Sequence, residues 1–124
     1  MRALALTLLL APLGACAPAA PPPPPKLPLD CSLTYDALAA RVMAHPGLIQ
    51  QRAEPGEPYR FYSTPDSGEA FVFTEPGAPG HPAILRQEVV RTQDGPQMRN
   101  TGCPYGDKAG FDQVLAYLED MSRR

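Results

Sequence analysis

Apolar residues change their spacing twice along the chain. Between residues 32 and 44 they recur at the i, i+3, i+4 and i+7 positions of an amphipathic helix, and the same spacing returns between residues 108 and 121. Between these two segments, aromatic and β-branched residues alternate with polar ones, which is the pattern of β-strands. The chain is therefore expected to fold as a helix, a sheet and a second helix.

Both predicted helices have signals at their ends. Ser32 is expected to cap the first helix, which runs to Ala44, and His45-Pro46-Gly47 ends it because a residue before proline avoids the α region. Asp107 is expected to cap the second helix, from Lys108 to Met121. The apolar faces consist of Tyr35, Leu38, Ala39 and Val42 in the first helix and of Phe111, Val114, Leu115 and Leu118 in the second.

Turn signals divide the middle of the chain into strands. Pro65-Asp66-Ser67-Gly68 joins the first two, a proline-glycine loop at residues 75–82 follows, and Asp94-Gly95 precedes the last. The predicted strands are Tyr59–Thr64, Glu69–Thr74, Ala83–Thr92 and Gln97–Thr101. The predicted fold class is α+β in the order α-β-β-β-β-α, a four-stranded antiparallel meander with both helices packed on one face.

A sheet that is covered on one face leaves its other face to solvent or to a partner. Tyr62 and Val72 are expected to point away from the helices, and His81 lies in the loop after the second strand. These three residues form the candidate binding surface. The alternative is a half-solvated face whose scattered apolar side chains have no function.

A short apolar leader opens the chain. Met1 and Arg2 give a positively charged start, and residues 3–11 form an apolar run that ends at Pro12. The run is too short to cross the roughly 30 Å of hydrocarbon in a bilayer. It is typical of an export signal that is removed from the mature protein.

Leu13-Gly14-Ala15-Cys16 resembles the lipobox of bacterial lipoproteins, which has leucine three positions before the cysteine and small residues between them. The resemblance covers only the first 16 residues. It implies a signal peptide at residues 1–15 and lipid on Cys16, where about three acyl chains, at about 0.8 kcal/mol per buried methylene, form a stable anchor. Ala17, rather than aspartate, implies the periplasmic face of the outer membrane. The alternative is an ordinary secretory signal that is cut next to Cys16.

Proline dominates the segment that follows the leader. Eight of the 17 prolines lie in the first 28 residues, and residues 17–29 read APAAPPPPPKLPL. Such a segment forms neither a helix nor a central strand, and a polyproline II conformation of about 3.1 Å per residue reaches roughly 40 Å. Residues 16–29 are therefore predicted to be a lipidated tether, with residues 30–124 as a small periplasmic domain. A proline-rich ligand for an aromatic groove is the alternative.

The two remaining cysteines are expected to form a disulfide. Export places Cys31 and Cys103 in an oxidising compartment, where cysteines of a small domain usually pair. Cys103-Pro104-Tyr105-Gly106 also resembles the CPYC active site of glutaredoxins, but glycine replaces the second cysteine. In glutaredoxins the motif opens the fold, whereas only 18 residues follow Gly106. A structural bridge is therefore preferred to a redox site.

No catalytic residue, metal site or cofactor is predicted. His45 and His81 lack metal-ligand spacing and are expected at the surface, and acids such as Glu69 around the first hairpin are expected to be solvated. The net charge is −2 and the 11 Lys and Arg residues are scattered, which excludes nucleic acid as a partner.

The sequence thus favours a lipid-anchored envelope protein that is not an enzyme and that binds another protein or supports envelope assembly. Its expected membrane attachment is the lipid that the resemblance implies on Cys16. The alternative is a periplasmic small-ligand binder or enzyme whose site combines Tyr62, His81 and nearby acids.

Overall fold

The computed structural model describes residues 12, 14, 16–19, 21–22 and 25–124. The predicted signal peptide therefore lies outside the described residues except at Pro12 and Gly14. The elements in chain order are α1 (Tyr35–Met43), β1 (Ile49–Gln50), β2 (Tyr59–Thr64), β3 (Glu69–Thr74), β4 (Ala83–Thr92), β5 (Gly95–Pro104) and α2 (Lys108–Ser122).

The strands form one antiparallel meander in the order β1-β2-β3-β4-β5. The α+β class and the antiparallel sheet are confirmed, but the prediction of four strands is wrong. The additional strand is β1, where Ile49 pairs with Ser63 and Gln50 with Tyr62. Two residues are too few to produce an alternating pattern, so the sequence carried no signal for this strand.

The two helices cover opposite faces of the sheet, which corrects the prediction that both pack on one face. Leu38 and Val42 of α1 join a core with Phe71, Phe73 and Ile84. We call this side the α1 face. The other side, the α2 face, buries side chains from α2, β2, β3 and β4, among them Phe111, Val114, Leu118, Tyr59, Val72 and Leu85.

The reason for two covered faces lies in consecutive apolar residues on the central strands. Phe71, Val72 and Phe73 follow one another on β3, and all three are almost fully buried. Side chains alternate between the faces of a strand, so such a run requires cover on both sides. Helix α1 covers one face and helix α2 covers the other, each with the apolar side chains along one side of the helix.

The starts of the helices were predicted with one error. Asp107 caps α2 as expected, and its Oδ2 accepts a hydrogen bond from Gly110 N at 2.8 Å. Helix α1 is capped by Thr34 instead of Ser32. Asp30 Oδ1 accepts hydrogen bonds from both the backbone N–H and the hydroxyl of Ser32, at 3.0 and 2.6 Å, which hold Ser32 in the preceding turn.

The predicted disulfide between Cys31 and Cys103 is confirmed. It joins the turn before α1 to the end of β5 across a sequence separation of 72 residues. Closing a loop of that length in the unfolded chain is worth about 4 kcal/mol in the chain-entropy model. That is a large share of the net stability of a domain of this size.

Candidate functional site

Tyr62, Val72 and His81 do not form one surface. Tyr62 is buried on the α1 face and Val72 is buried on the α2 face. His81 is half-buried, and its Nδ1 lies 2.9 Å from the Thr74 hydroxyl. The predicted open patch is absent at these positions because each helix covers one face. The structure does not bring Tyr62 and His81 together, which argues against a catalytic site built from these two side chains.

The segment that resembles the glutaredoxin motif has a structural role. Cys103 is fully buried and bonded to Cys31. A Cβ atom at Gly106 would collide with the backbone of Gly80 and His81, so the loop after β3 packs directly against the start of α2. Glycine at the position of the second cysteine therefore permits this close approach.

A polar cluster of His45, Glu69, Arg86 and Glu88 lies on the α1 face beyond the end of helix α1. All four residues are buried, and Glu69 is only 3% exposed. Arg86 Nε donates to Glu69 Oε2 at 2.7 Å, and Arg86 Nη2 donates to Glu88 Oε2 at 2.9 Å. One arginine thus bridges two carboxylates from neighbouring strands.

Burial acts to raise the pKa of Glu69, but hydrogen bonds oppose it. Arg86, the backbone N–H of Leu27 and the hydroxyl of Ser67 all donate to the carboxylate, and together they hold the pKa of Glu69 below its ordinary value. Glu69 is therefore ionised at neutral pH despite its burial. The expectation that it is a solvated surface acid is wrong.

His45 completes the polar cluster from the end of α1. Its Nε2 lies 3.4 Å from Glu69 Oε1 but makes no hydrogen bond within the described part of the chain. The ring also packs edge-on against Phe71, with 5.9 Å between the ring centres. The prediction that His45 lies at the surface is wrong, because the turn after α1 directs the ring inward.

The end of the proline-rich segment, at Lys26 and Leu27, is bound to this polar cluster. Leu27 N–H lies 3.2 and 3.0 Å from the two carboxylate oxygens of Glu69. Lys26 Nζ lies 3.5 Å from Glu88 Oε2 and 3.3 Å from Val89 O. Leu27 and Leu29 pack against the apolar core of the α1 face. Lys26 and Leu27 thus join the proline-rich segment to the polar cluster.

The outer half of the β4–β5 hairpin projects beyond the helices. Residues 91–99 are exposed except for the half-buried Gly95. An open groove of about 720 Å³ separates this hairpin from the end of α2, and Met98, Asn100, Glu119 and Arg123 are among its lining residues. Asn100 Oδ1 is buried there and has no hydrogen-bond partner among residues 25–124.

Strand β5 is one edge of the sheet, and no other described strand pairs with its outer side. Tyr105 N–H donates to Pro82 O, so the neighbouring pair Ala83–Pro104 is of the non-hydrogen-bonded kind. The regular register then turns the backbone N–H groups of Met98 and Asn100 away from β4. Pro96 occupies an outward position too, where its missing N–H costs no ladder bond. Cys31 Sγ lies 3.6 Å from Gly102 O and bounds this edge.

No protein-family model matches the chain, and no curated protein or solved structure matches it. Within the described residues, neither helix has the length and apolar character needed to span a membrane. Across the same residues, no three His, Cys, Asp or Glu side chains are grouped so as to hold a metal ion.

Sequence reasoning missed the polar cluster, although the chain carries a signal for it. Glu69 stands in the same alternation as Phe71 and Phe73, so it had to share their buried face. Arg86 and Glu88 follow Ile84 in the same way on β4. Opposite charges on the core-facing positions of adjacent strands indicate a buried ion pair.

Proposed function

We propose that the protein is a lipid-anchored envelope protein whose domain binds another protein or supports envelope assembly. The observation that carries this proposal is the attachment of Lys26 and Leu27 to Glu69 and Glu88. A linker that served only as a loose spacer would need no buried carboxylate at its end. A bound end fixes where the anchor leaves the domain, which is useful to a module that presents a surface.

The geometry of the tether supports the same function. With Lys26 held on the α1 face, the proposed tether before Lys26 comprises the ten residues 16–25. Ten residues in the polyproline II conformation reach about 31 Å. The α1 face is then the side from which the chain runs to the membrane.

Substitution of the lipobox cysteine tests the anchor. Cys16→Ser should move the protein from the detergent-rich phase to the aqueous phase on detergent phase separation, because no thiol remains to carry lipid. Ala19→Ser, three residues further along the tether, is the matched control and should stay in the detergent-rich phase. Unchanged partitioning of Cys16→Ser would contradict the anchor. Crosslinking in intact cells, followed by mass spectrometry, then identifies the bound proteins.

The alternative function is a periplasmic small-ligand binder, and the groove beside Asn100 is the observation that favours it. The groove holds about 720 Å³, and the half-buried Asn100 is one of its lining residues. Asn100→Leu would then abolish the binding of a small molecule that co-purifies with the protein. A stable protein partner recovered without any small molecule favours the envelope-module function instead.

A further inference from the structure

Two exposed apolar side chains stand next to each other on the β4–β5 hairpin. Val89 and Met98 are directly paired across the two strands, and 43% and 44% of their surfaces are exposed. By the alternation of β4 and β5, both point to the α2 face, and Met98 also lines the groove at the end of α2. Met98 also lies on the edge strand β5. It therefore combines an exposed apolar side chain with a backbone N–H group that points away from β4.

We propose that this edge binds a second copy of the same chain, with the two β5 strands antiparallel about a two-fold axis at Met98. The proposal rests on the proposed function, and it names the partner of the projecting hairpin. The two five-stranded sheets then become one continuous ten-stranded sheet. An edge strand with outward backbone donors is a template for such pairing.

The outward backbone groups of β5 match their own symmetry copies. Met98 N–H of each copy meets Met98 O of the other, and Asn100 N–H of each meets Pro96 O. The pairing uses the outward N–H groups of Met98 and Asn100, the two donors between Pro96 and Cys31. Pro96, which has no N–H, takes part only through its carbonyl oxygen. Proline at position 96 therefore limits the length of the edge without blocking this register.

The side chains fit the same register. On the α2 face, Val89 and Met98 of one copy continue into Met98 and Val89 of the other, so that a pair becomes a row of four apolar residues. On the α1 face, Arg99 lies opposite Gln97 of the second copy, and no like charges face each other directly. Asn100 shares a row with Pro96 and Arg91 of the second copy.

The symmetry agrees with attachment to a membrane. Antiparallel strands within one sheet are related by an axis perpendicular to that sheet, so both copies turn the same face to the same side. Both tethers then leave from the α1 face, where Lys26 is held. Two lipid anchors can thus enter one membrane, and confinement to that membrane raises the effective concentration of the edges.

Cysteine crosslinking of the full chain in its native membrane tests the pairing. Met98→Cys places two thiols across the two-fold axis, and mild oxidation should give a product of twice the chain mass. Ile49→Cys is the matched control, because Ile49 is exposed on β1 at the opposite edge and should give no such product. Equal crosslinking of both variants, or none from Met98→Cys, would overturn the proposal. A product with a different protein would also overturn it.

A second variant distinguishes loss of the edge pairing from loss of folding and from loss of the lipid anchor. Asn100→Pro, in the Met98→Cys background, removes an outward donor but no bond to β4, so crosslinking should be lost while the melting temperature stays unchanged. Persistent crosslinking would contradict the register. Partitioning of the same samples into detergent reports on the lipid independently. Loss of partitioning refutes the proposed function, whereas loss of crosslinking with intact partitioning refutes only the second copy.

Discussion

Glu69 is the residue at which the domain and its tether meet. Its carboxylate accepts hydrogen bonds from Arg86, Leu27 and Ser67 while its side chain is withdrawn from water. A buried carboxylate is tolerated only when it is paired in this way, and removing one partner leaves the other unsatisfied. The side chain thus stabilises the sheet and holds residues 26 and 27 in place.

Glu69→Gln should destabilise the domain at neutral pH by about 3 kcal/mol, because it leaves Arg86 with a weaker partner. The pKa of Glu69 lies below its ordinary value of 4.5 in the folded state. Its contribution is therefore complete above about pH 4.5 and is lost as the pH falls through the folded-state pKa. Urea unfolding at several pH values should show this acid loss in the natural protein and a smaller one in Glu69→Gln.

The same substitution should release the tether. Trypsin cuts after lysine, and the Lys26–Leu27 bond is protected while Leu27 is bound to Glu69. Glu69→Gln should speed cleavage at this bond, as followed by intact mass. Phe111→Ala is the control, because it destabilises the core without touching the tether. Equal acceleration in both variants would mean that cleavage follows global unfolding, which contradicts a specific attachment at Glu69.

At the scale of elements, the sequence predicted what local patterns determine. The stripe of Phe111, Val114 and Leu118 and the cap Asp107 located α2, and the turn at residues 65–68 located the first hairpin. The side of the sheet that each helix covers depends on contacts between distant residues. The run Phe71-Val72-Phe73 nevertheless indicates that both faces of the sheet are covered, since three consecutive buried residues need cover on both faces.

Phe111→Ala tests the packing of α2 on its face. Phe111 is buried among Val72, Leu85 and other residues of the α2 face, and its ring also lies close to Gly102. Truncation of a buried phenylalanine typically costs about 3 to 5 kcal/mol through lost contacts and a cavity. Chemical denaturation should show a loss in this range. A negligible loss would mean that α2 does not cover the sheet.

The three cysteines of the chain differ in their bonding and position. Cys31 and Cys103 form the bridge, and Cys16 is exposed and lies outside the disulfide. The pairing was predictable once the first of the three cysteines was assigned to the predicted lipidation site, because that assignment leaves two. The buried attachment of the tether was not, because APAAPPPPPKLPL has no pattern that indicates where Lys26 and Leu27 bind.

The intact mass of the protein from its native membrane, alkylated without reductant, tests the account most directly. We predict the mass of residues 16–124 with the bridge closed and acyl chains added, and with no alkyl group attached. A mature chain without acyl chains, or one alkylated at Cys31 or Cys103, would contradict the account.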